Sequence, residues 1–427
     1  MGSQALRTDF DIEEEDRFFI SGVEKVGRSR NTYEHQLRKR KVLVGVLIAV
    51  GSLGLVALII GLGWGLSRRK LDYVCPRTYD PSTTDLVFYV IGDWGRAGND
   101  NQQKAARLMS DVSQCMPPKF VVSTGDNFYP SGLSSASDPQ FQQSFSSVYS
   151  APGLQVPWFA VLGNHDYGDS VDDDALTSCL SAPTSEVQCA GKCCISPFWQ
   201  TVPELAARDT RWNATLGNVV TRTFQLGPGS SGSSSGSGGA LDVLFLDTVP
   251  FIYQYDSRRW ASFLYGFKNQ SVHTEDITDS LEQQLNASLA SGSKWRLVVG
   301  HHPVRSYGSH CSQPDPNDCM DMAFLRPLLK KYRVAAYVNG HEHDQQLIKS
   351  DTDPVYYITS GAGSDTREGE FDNLESDQRS KDALFLSDKQ GFLAVVFSGA
   401  AMKLHFYTTG QSGPTYTRVV PVPDWSP

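Results

Sequence analysis

Five short polar turns carry most of the chemistry available to this chain of 427 residues. Each opens with glycine after an apolar run: Gly92-Asp93-Trp94-Gly95, Gly125-Asp126-Asn127-Phe128-Tyr129, Gly163-Asn164-His165-Asp166, Gly300-His301-His302-Pro303 and Gly340-His341-Glu342-His343. Six of the nine histidines, at 165, 301, 302, 310, 341 and 343, stand in or beside these turns, a clustering that packing alone does not produce. Carboxylate, amide and imidazole donors together suit iron, zinc or manganese better than calcium. About eight such donors exceed what one ion can use, so the pattern predicts two metal ions sharing a bridging carboxylate.

Turns spread over 250 residues of sequence meet only if a scaffold brings them together. The preceding runs, at 86–91, 120–123, 158–162, 243–246, 297–299, 334–338 and 355–358, are short, apolar and rich in β-branched and aromatic residues. They read as strands buried on both faces. Helix-like stretches at 101–115 and 278–291 lie between some of them, so the pattern predicts an α/β layered domain whose strand ends open onto a shared crevice. Glycine ahead of each ligand lets the backbone turn sharply and leaves room for a metal or phosphate. The Gly/Ser-rich stretch 227–239 reads as a surface insertion rather than a linker, because residues of the same motif system flank it on both sides.

Residues 42–66 contain no charged side chain and would span about 37 Å as a helix, enough to cross a bilayer. Arg38, Lys39, Arg40 and Lys41 on one flank outweigh Arg68, Arg69 and Lys70 on the other, which predicts a single-pass type II protein with its N-terminus in the cytosol. The expected organisation is a disordered cytosolic tail (1–41), a transmembrane helix (42–66), a stalk (67–84) and a catalytic domain (85–427). All eight cysteines follow residue 66, as do the sequons at Asn213, Asn269 and Asn286. Both features suit an oxidising lumen of the secretory or endolysosomal-vacuolar system, or the cell surface, with N-glycans at those asparagines. Cys311 and Cys319 bracket a short loop and make a reasonable local pair. Residues 1–70 carry 12 Lys/Arg against 8 Asp/Glu, a surplus of four, which leaves the remainder at −13 within a net charge of −9. Such an acidic domain argues against nucleic acid as a partner.

The five turns in this order resemble the metallophosphoesterase signature, and Tyr129 within Gly-Asp-x-x-Tyr resembles the purple acid phosphatases, in particular the small tartrate-resistant type. The resemblance runs from residue 86 to about 363, including Leu246-Asp247-Thr248-Val249 and Ser360-Gly361-Ala362-Gly363. It implies a layered sandwich of two mixed β-sheets flanked by helices. It further implies an acid phosphatase in which a metal-held hydroxide attacks phosphate monoesters, either small molecules or phosphorylated proteins and peptides. By the same resemblance Asp93, Tyr129 and His343 would bind Fe(III), Asp126 would bridge, and Asn164, His301 and His341 would bind a divalent iron, zinc or manganese ion. His165 and His310 would be the catalytic histidines that protonate the leaving group, and His302 receives no ligand role. An acidic optimum follows, because a ferric ion makes hydroxide available at lower pH than a divalent ion does. Two other readings use the same residues: a zinc or manganese enzyme for diesters or nucleotides, and a membrane-tethered binding module that keeps the fold without catalysis. Redox chemistry at an iron pair would be a side activity of the same site.

Overall fold

The computed structural model describes residues 86–170, 195–227, 239–255, 274–311, 319–372, 374, 382–398 and 401–422. The expected tail, transmembrane segment and stalk lie outside these residues, as do Asn269 and the cysteines at 75, 179, 189, 193 and 194. Among the described residues no helix is long and apolar enough to cross a membrane.

Two mixed sheets, each of seven strands among the described residues, form the frame. In spatial order the first contains β14 (Tyr416–Pro421), β13 (Ala401–Thr408), β12 (Gly391–Ser398), β1 (Leu86–Ile91), β2 (Phe120–Ser123), β3 (Trp158–Ala160) and β4 (Trp212–Ala214). The second contains β11 (Ala383–Ser387), β9 (Gln345–Ile348), β10 (Tyr356–Ser360), β8 (Ala336–Asn339), β7 (Trp295–Val299), β6 (Ala240–Leu246) and β5 (Val219–Gln225). β1 to β4 run parallel, as do β6, β7, β8 and β10, while the outer strands pair antiparallel.

Strand alternation builds the layers. Phe88 and Val90 of β1 point into a core shared with Val243 and Phe245 of β6 and Leu297 and Val299 of β7. The Phe120 and Phe224 rings stack across that core with centroids 4.0 Å apart. Alternate residues Val87, Tyr89 and Ile91 face the other way, onto helix α1 (Asp100–Ser113) through its buried Ala105, Met109 and Val112. Period 2 on the strand thus meets period 3.6 on the helix, and both faces of β1 are dry. Asn99 starts α1 by accepting a hydrogen bond from the Gln102 amide at 2.9 Å. Helices α2 (Thr274–Ala290) and α3 (Leu325–Lys331) cover the second sheet through Ile277, Leu281, Leu285, Leu325 and Leu329.

Most expected strands fall where their apolar runs stand, with shifted ends: β3 stops at Ala160, and the 334–338 run becomes a strand only from Ala336. The Gly/Ser stretch joins β5 to β6, which pair antiparallel down to Gln225 opposite Ala240. Its two ends are therefore neighbours in one sheet. Cys311 and Cys319 are disulfide-bonded, and Cys115 is also in a disulfide. Asn213 is exposed on β4 and Asn286 is exposed on α2.

Candidate metal centre

All five glycine turns leave the carboxyl ends of parallel strands, β1, β2, β3, β7 and β8. Those ends open on one edge of the sandwich. Asp93, Asp126 and His341 adopt left-handed backbone conformations, with φ of 59°, 50° and 67°. Such angles cost a non-glycine residue on the order of 1 kcal/mol or more and recur where a site demands them. Packing holds them in place. Trp94, fully buried, donates from Nε1 to Ser123 Oγ at 2.8 Å and meets the Tyr149 ring at 5.4 Å. The His341 amide donates to both Asp93 oxygens, at 3.2 and 3.0 Å. A Cβ at Gly163 would strike the Asp126 carboxylate and the His301 ring, and one at Gly340 would strike the Asp93 carboxylate. A side chain at either position would displace those groups.

The expected ligands form two groups around Asp126. On one side the Tyr129 hydroxyl lies 2.9 Å from Asp126 Oδ2, 3.3 Å from Asp93 Oδ1 and 3.0 Å from His343 Nε2. On the other, His301 Nε2 lies 3.5 Å from Asp126 Oδ1, 3.1 Å from Asn164 Oδ1 and 3.2 Å from His341 Nδ1. His341 Nδ1 is itself 3.1 Å from Asn164 Oδ1. The two oxygens of one carboxylate therefore face different groups.

Hydrogen bonding shows what the second group lacks. His301 Nδ1 lies 2.8 Å from the Thr124 carbonyl, which only accepts, so Nδ1 carries the proton and Nε2 is a bare lone pair. Asn164 spends its amide nitrogen on Asp169 Oδ2 at 2.8 Å, which turns Oδ1 inward. A bare nitrogen and an amide oxygen thus converge as acceptors beside a carboxylate oxygen, with His341 Nδ1 adjoining both. A cation satisfies such a set, and these residues fit a metal ion. Charge in the first group points the same way. Burial, then the charge of Asp126, pushes the Asp93 carboxyl well above the usual carboxylate range. At Asp126 burial also raises the pKa, but His301 and His165 outweigh it and hold the carboxyl below its ordinary value. Burial, Asp126 and Asp93 push the Tyr129 phenol well above its normal range, opposed by Arg96. Burial lowers His301, His341 and His343, the last to about 3, which favours the neutral imidazole at each.

His165 and His310 stand at the open side. His165 donates from Nδ1 to the Pro130 carbonyl at 2.6 Å, and its amide donates to Asp126 Oδ1 at 3.0 Å. His310 donates from Nδ1 to Glu342 Oε2 at 2.8 Å and from its backbone amide to Glu342 Oε1 at 2.9 Å. Its ring packs against that of His341, centroids 4.4 Å apart. His302 is engaged elsewhere, with Nδ1 2.9 Å from Thr248 Oγ1 and Nε2 3.0 Å from the Tyr255 hydroxyl.

The calcineurin-like phosphoesterase family model matches residues 86–345. "Purple acid phosphatase 3" of Arabidopsis thaliana is 33% identical over 78% of this chain and 77% of its own length. This chain belongs to the purple acid phosphatases. It is accordingly a hydrolase of the acid phosphatase class. "Tartrate-resistant acid phosphatase type 5" of Oryctolagus cuniculus is 30% identical over 66% of this chain and 74% of the relative. Among solved structures, "GAP50 the anchor in the inner membrane complex of Plasmodium" shares the fold, with a TM-score of 0.56 at 22% identity over 80% of this chain and 90% of that one.

Several residues that complete the site carried no role in the sequence reading. Asp166 accepts from the Asn127, Phe128 and Gly163 amides and from Gln200 Nε2 at 2.8–3.1 Å, tying the second turn to the third. Burial and Asp126 raise its carboxyl to about 7, against those donors. Glu342, fully buried, holds His310 and Arg367. Arg96 lies with its guanidinium carbon 3.8 Å from the centroid of the Tyr129 ring. Asp166 and Glu342 stand inside the quoted turns and were in view. Arg96 and Arg367 had no signal beyond their proximity to a motif.

Proposed function

We propose that the protein hydrolyses phosphate monoesters at an Fe(III)–divalent metal pair, with Asp93, Tyr129 and His343 on the ferric ion, Asn164, His301 and His341 on the divalent ion, and Asp126 between them. The observation that carries this reading is the Asp126 carboxylate, whose two oxygens face two separate groups of metal-ligating atoms. A metal pair held there would neutralise phosphate oxygens and make water a competent nucleophile at acidic pH.

The chain's own residues supply the rest. Backbone turns with positive φ fix Asp93, Asp126 and His341 before substrate arrives, so no reorganisation is needed at the moment of reaction. His165 and His310 each commit Nδ1 to a protein acceptor. That leaves Nε2 of His165 to carry a proton to the departing alkoxide, whereas His310 Nε2 accepts from Arg367 Nη2 at 3.3 Å and could do so only once that contact is released. Thr248 binds the amides of His301 and His302, both at 3.1 Å, and steadies that turn. We propose further that residues 42–66 anchor the protein as a single-pass type II membrane protein with the site on the lumenal or extracellular side. This rests on the uncharged length of that segment and its basic flank.

Hydrolysis of p-nitrophenyl phosphate against pH by the full chain, with its metal content and visible spectrum, tests the enzymatic part. Acid-optimal turnover, two metal equivalents and a tyrosinate band, all lost in Asp126→Asn, are expected. Turnover without colour would replace iron with zinc or manganese, and a metal-loaded protein without turnover would sink the phosphatase reading. Protease protection of the N-terminus in sealed microsomes tests the orientation, and a protected catalytic domain with an accessible tail is the expected result.

A further inference from the structure

Of the two histidines at the open side, His310 is the less well packed: its side chain is 36% exposed, against 21% for His165. It belongs to no helix or strand. Its segment is pinned point by point instead. Gly308 donates its amide to Ser306 Oγ at 2.8 Å, and Ser309 donates its amide and hydroxyl to Glu370 Oε1 at 3.1 and 3.0 Å. His310 follows, with its amide and Nδ1 on Glu342. The Ser309 bonds are exposed and compete with water, so each holds only weakly.

The segment then ends on a covalent tie. Cys311 is buried, makes no hydrogen bond among the described residues, and is joined to Cys319 at a sequence separation of 8. Cys319 is the fixed end. Its amide donates to the Val304 carbonyl at 3.0 Å, and its carbonyl accepts from the Met322 amide at 3.0 Å. Val304 and Met322 both lie in the core under the second sheet. Val304 also directly follows the turn that presents His301. One sulfur therefore belongs to rigid core, and the other to the residue after His310. A covalent bond between them removes excursions that hydrogen bonds alone would permit, and a misplacement of about 1 Å near a reacting centre costs up to about a hundredfold in rate.

We propose that Cys311 and Cys319 are positioning residues for hydrolysis: their disulfide ties His310 to the turn that presents His301, keeping its ring against His341 and its Nδ1 on Glu342. This rests on the phosphatase reading above, in which His310 supplies a proton once its contact with Arg367 Nη2 is released. The two cysteines act through His310, so their effect on turnover requires that imidazole to be present.

The test is a cycle in the metal-loaded full chain between removal of the disulfide, by Cys311→Ala together with Cys319→Ala, and His310→Ala. Removing the disulfide is expected to lower kcat for p-nitrophenyl phosphate about fivefold to tenfold, with little change in KM or metal content. In the His310→Ala protein the same pair of substitutions should change kcat by less than about twofold. Amide hydrogen exchange read by mass spectrometry should quicken across residues 306–311 and stay unchanged across 300–304. Cys311→Val with Cys319→Val, which keeps apolar bulk at both buried positions, should behave as the alanine pair does. An unchanged kcat, or a loss of equal size in the His310→Ala protein, would overturn the proposal. Loss of metal or of cooperative unfolding in both pairs would also overturn it, by making the disulfide a support for the fold alone. Wild-type protein that turns over no p-nitrophenyl phosphate would overturn the phosphatase reading, and this inference with it, even if exchange across 306–311 responded as expected.

Discussion

The two ligand groups that share Asp126 differ in charge. Asp93 and Tyr129 make the first group anionic once the phenol ionises, with His343 as its neutral member. The second, Asn164, His301 and His341, contains no anionic side chain, and its partners orient it: Asp169 turns the amide and the Thr124 carbonyl sets the His301 tautomer. An anionic group suits a small, highly charged ion that stabilises a phenolate, whereas a neutral amide–imidazole group suits a divalent one. One carboxylate faces both groups because the residues on its two sides differ, so a single strand end could build two unlike sites.

The largest expected effect comes from removing what the groups share. Asp126→Asn should abolish binding of both ions and lower turnover by roughly three orders of magnitude or more, measured by metal analysis and phosphate release. Retention of one metal equivalent would show the groups to be more independent than their geometry implies. Next, substitutions in the separate groups should part company. Tyr129→Phe should remove the visible band, while Asn164→Ala should keep the band, lose one metal equivalent and lower activity about a hundredfold. A band surviving Tyr129→Phe would break the assignment of the first group. Smaller again, Glu342→Gln leaves every expected ligand in place but weakens the hold on His310. It should lower kcat about tenfold with little change in KM or metal content.

His405 offers a control outside both groups. This buried imidazole on β13 lies 3.0 Å from Thr417 Oγ1, and burial, with Lys403 nearby, lowers its pKa from 6.5 to about 4. A depressed histidine favours the fold in its neutral form. Its contribution is complete above pH 6.5 and is lost as pH falls through about 4. His405→Gln should therefore recover on the order of 2 kcal/mol of unfolding free energy near pH 4 and change little at pH 7.5. Equal acid lability in the variant would assign that loss to the site histidines instead.

The short β4 beside β3 was not anticipated. The other seven of the eight parallel strands were legible because their runs are continuous and apolar, and five of them end in a glycine turn with a recognisable ligand. The antiparallel half was not. β12 pairs with β1 and joins it to β13 and β14, yet no turn of chemical interest follows it, and its buried pattern GFLAVVFS does not name its neighbour. Strand order is set by which buried faces match across the sandwich, a long-range property that local pattern does not carry.

Residue types and their order determined the chemistry: carboxylate, phenol, amide and imidazole donors, each behind a glycine at a strand end, admit few readings other than a metal centre. Tertiary structure decided the rest. Only the convergence of β1, β2, β3, β7 and β8 turned the two Asp126 oxygens toward different partners. Only packing could hold Asp93, Asp126 and His341 at positive φ. Only the approach of the 364–365 turn pinned Arg96 by its Nε against Tyr129. Donor chemistry is a property of single side chains and survives in a string of letters, whereas distance, burial and tautomer are properties of pairs and exist only once the chain has folded.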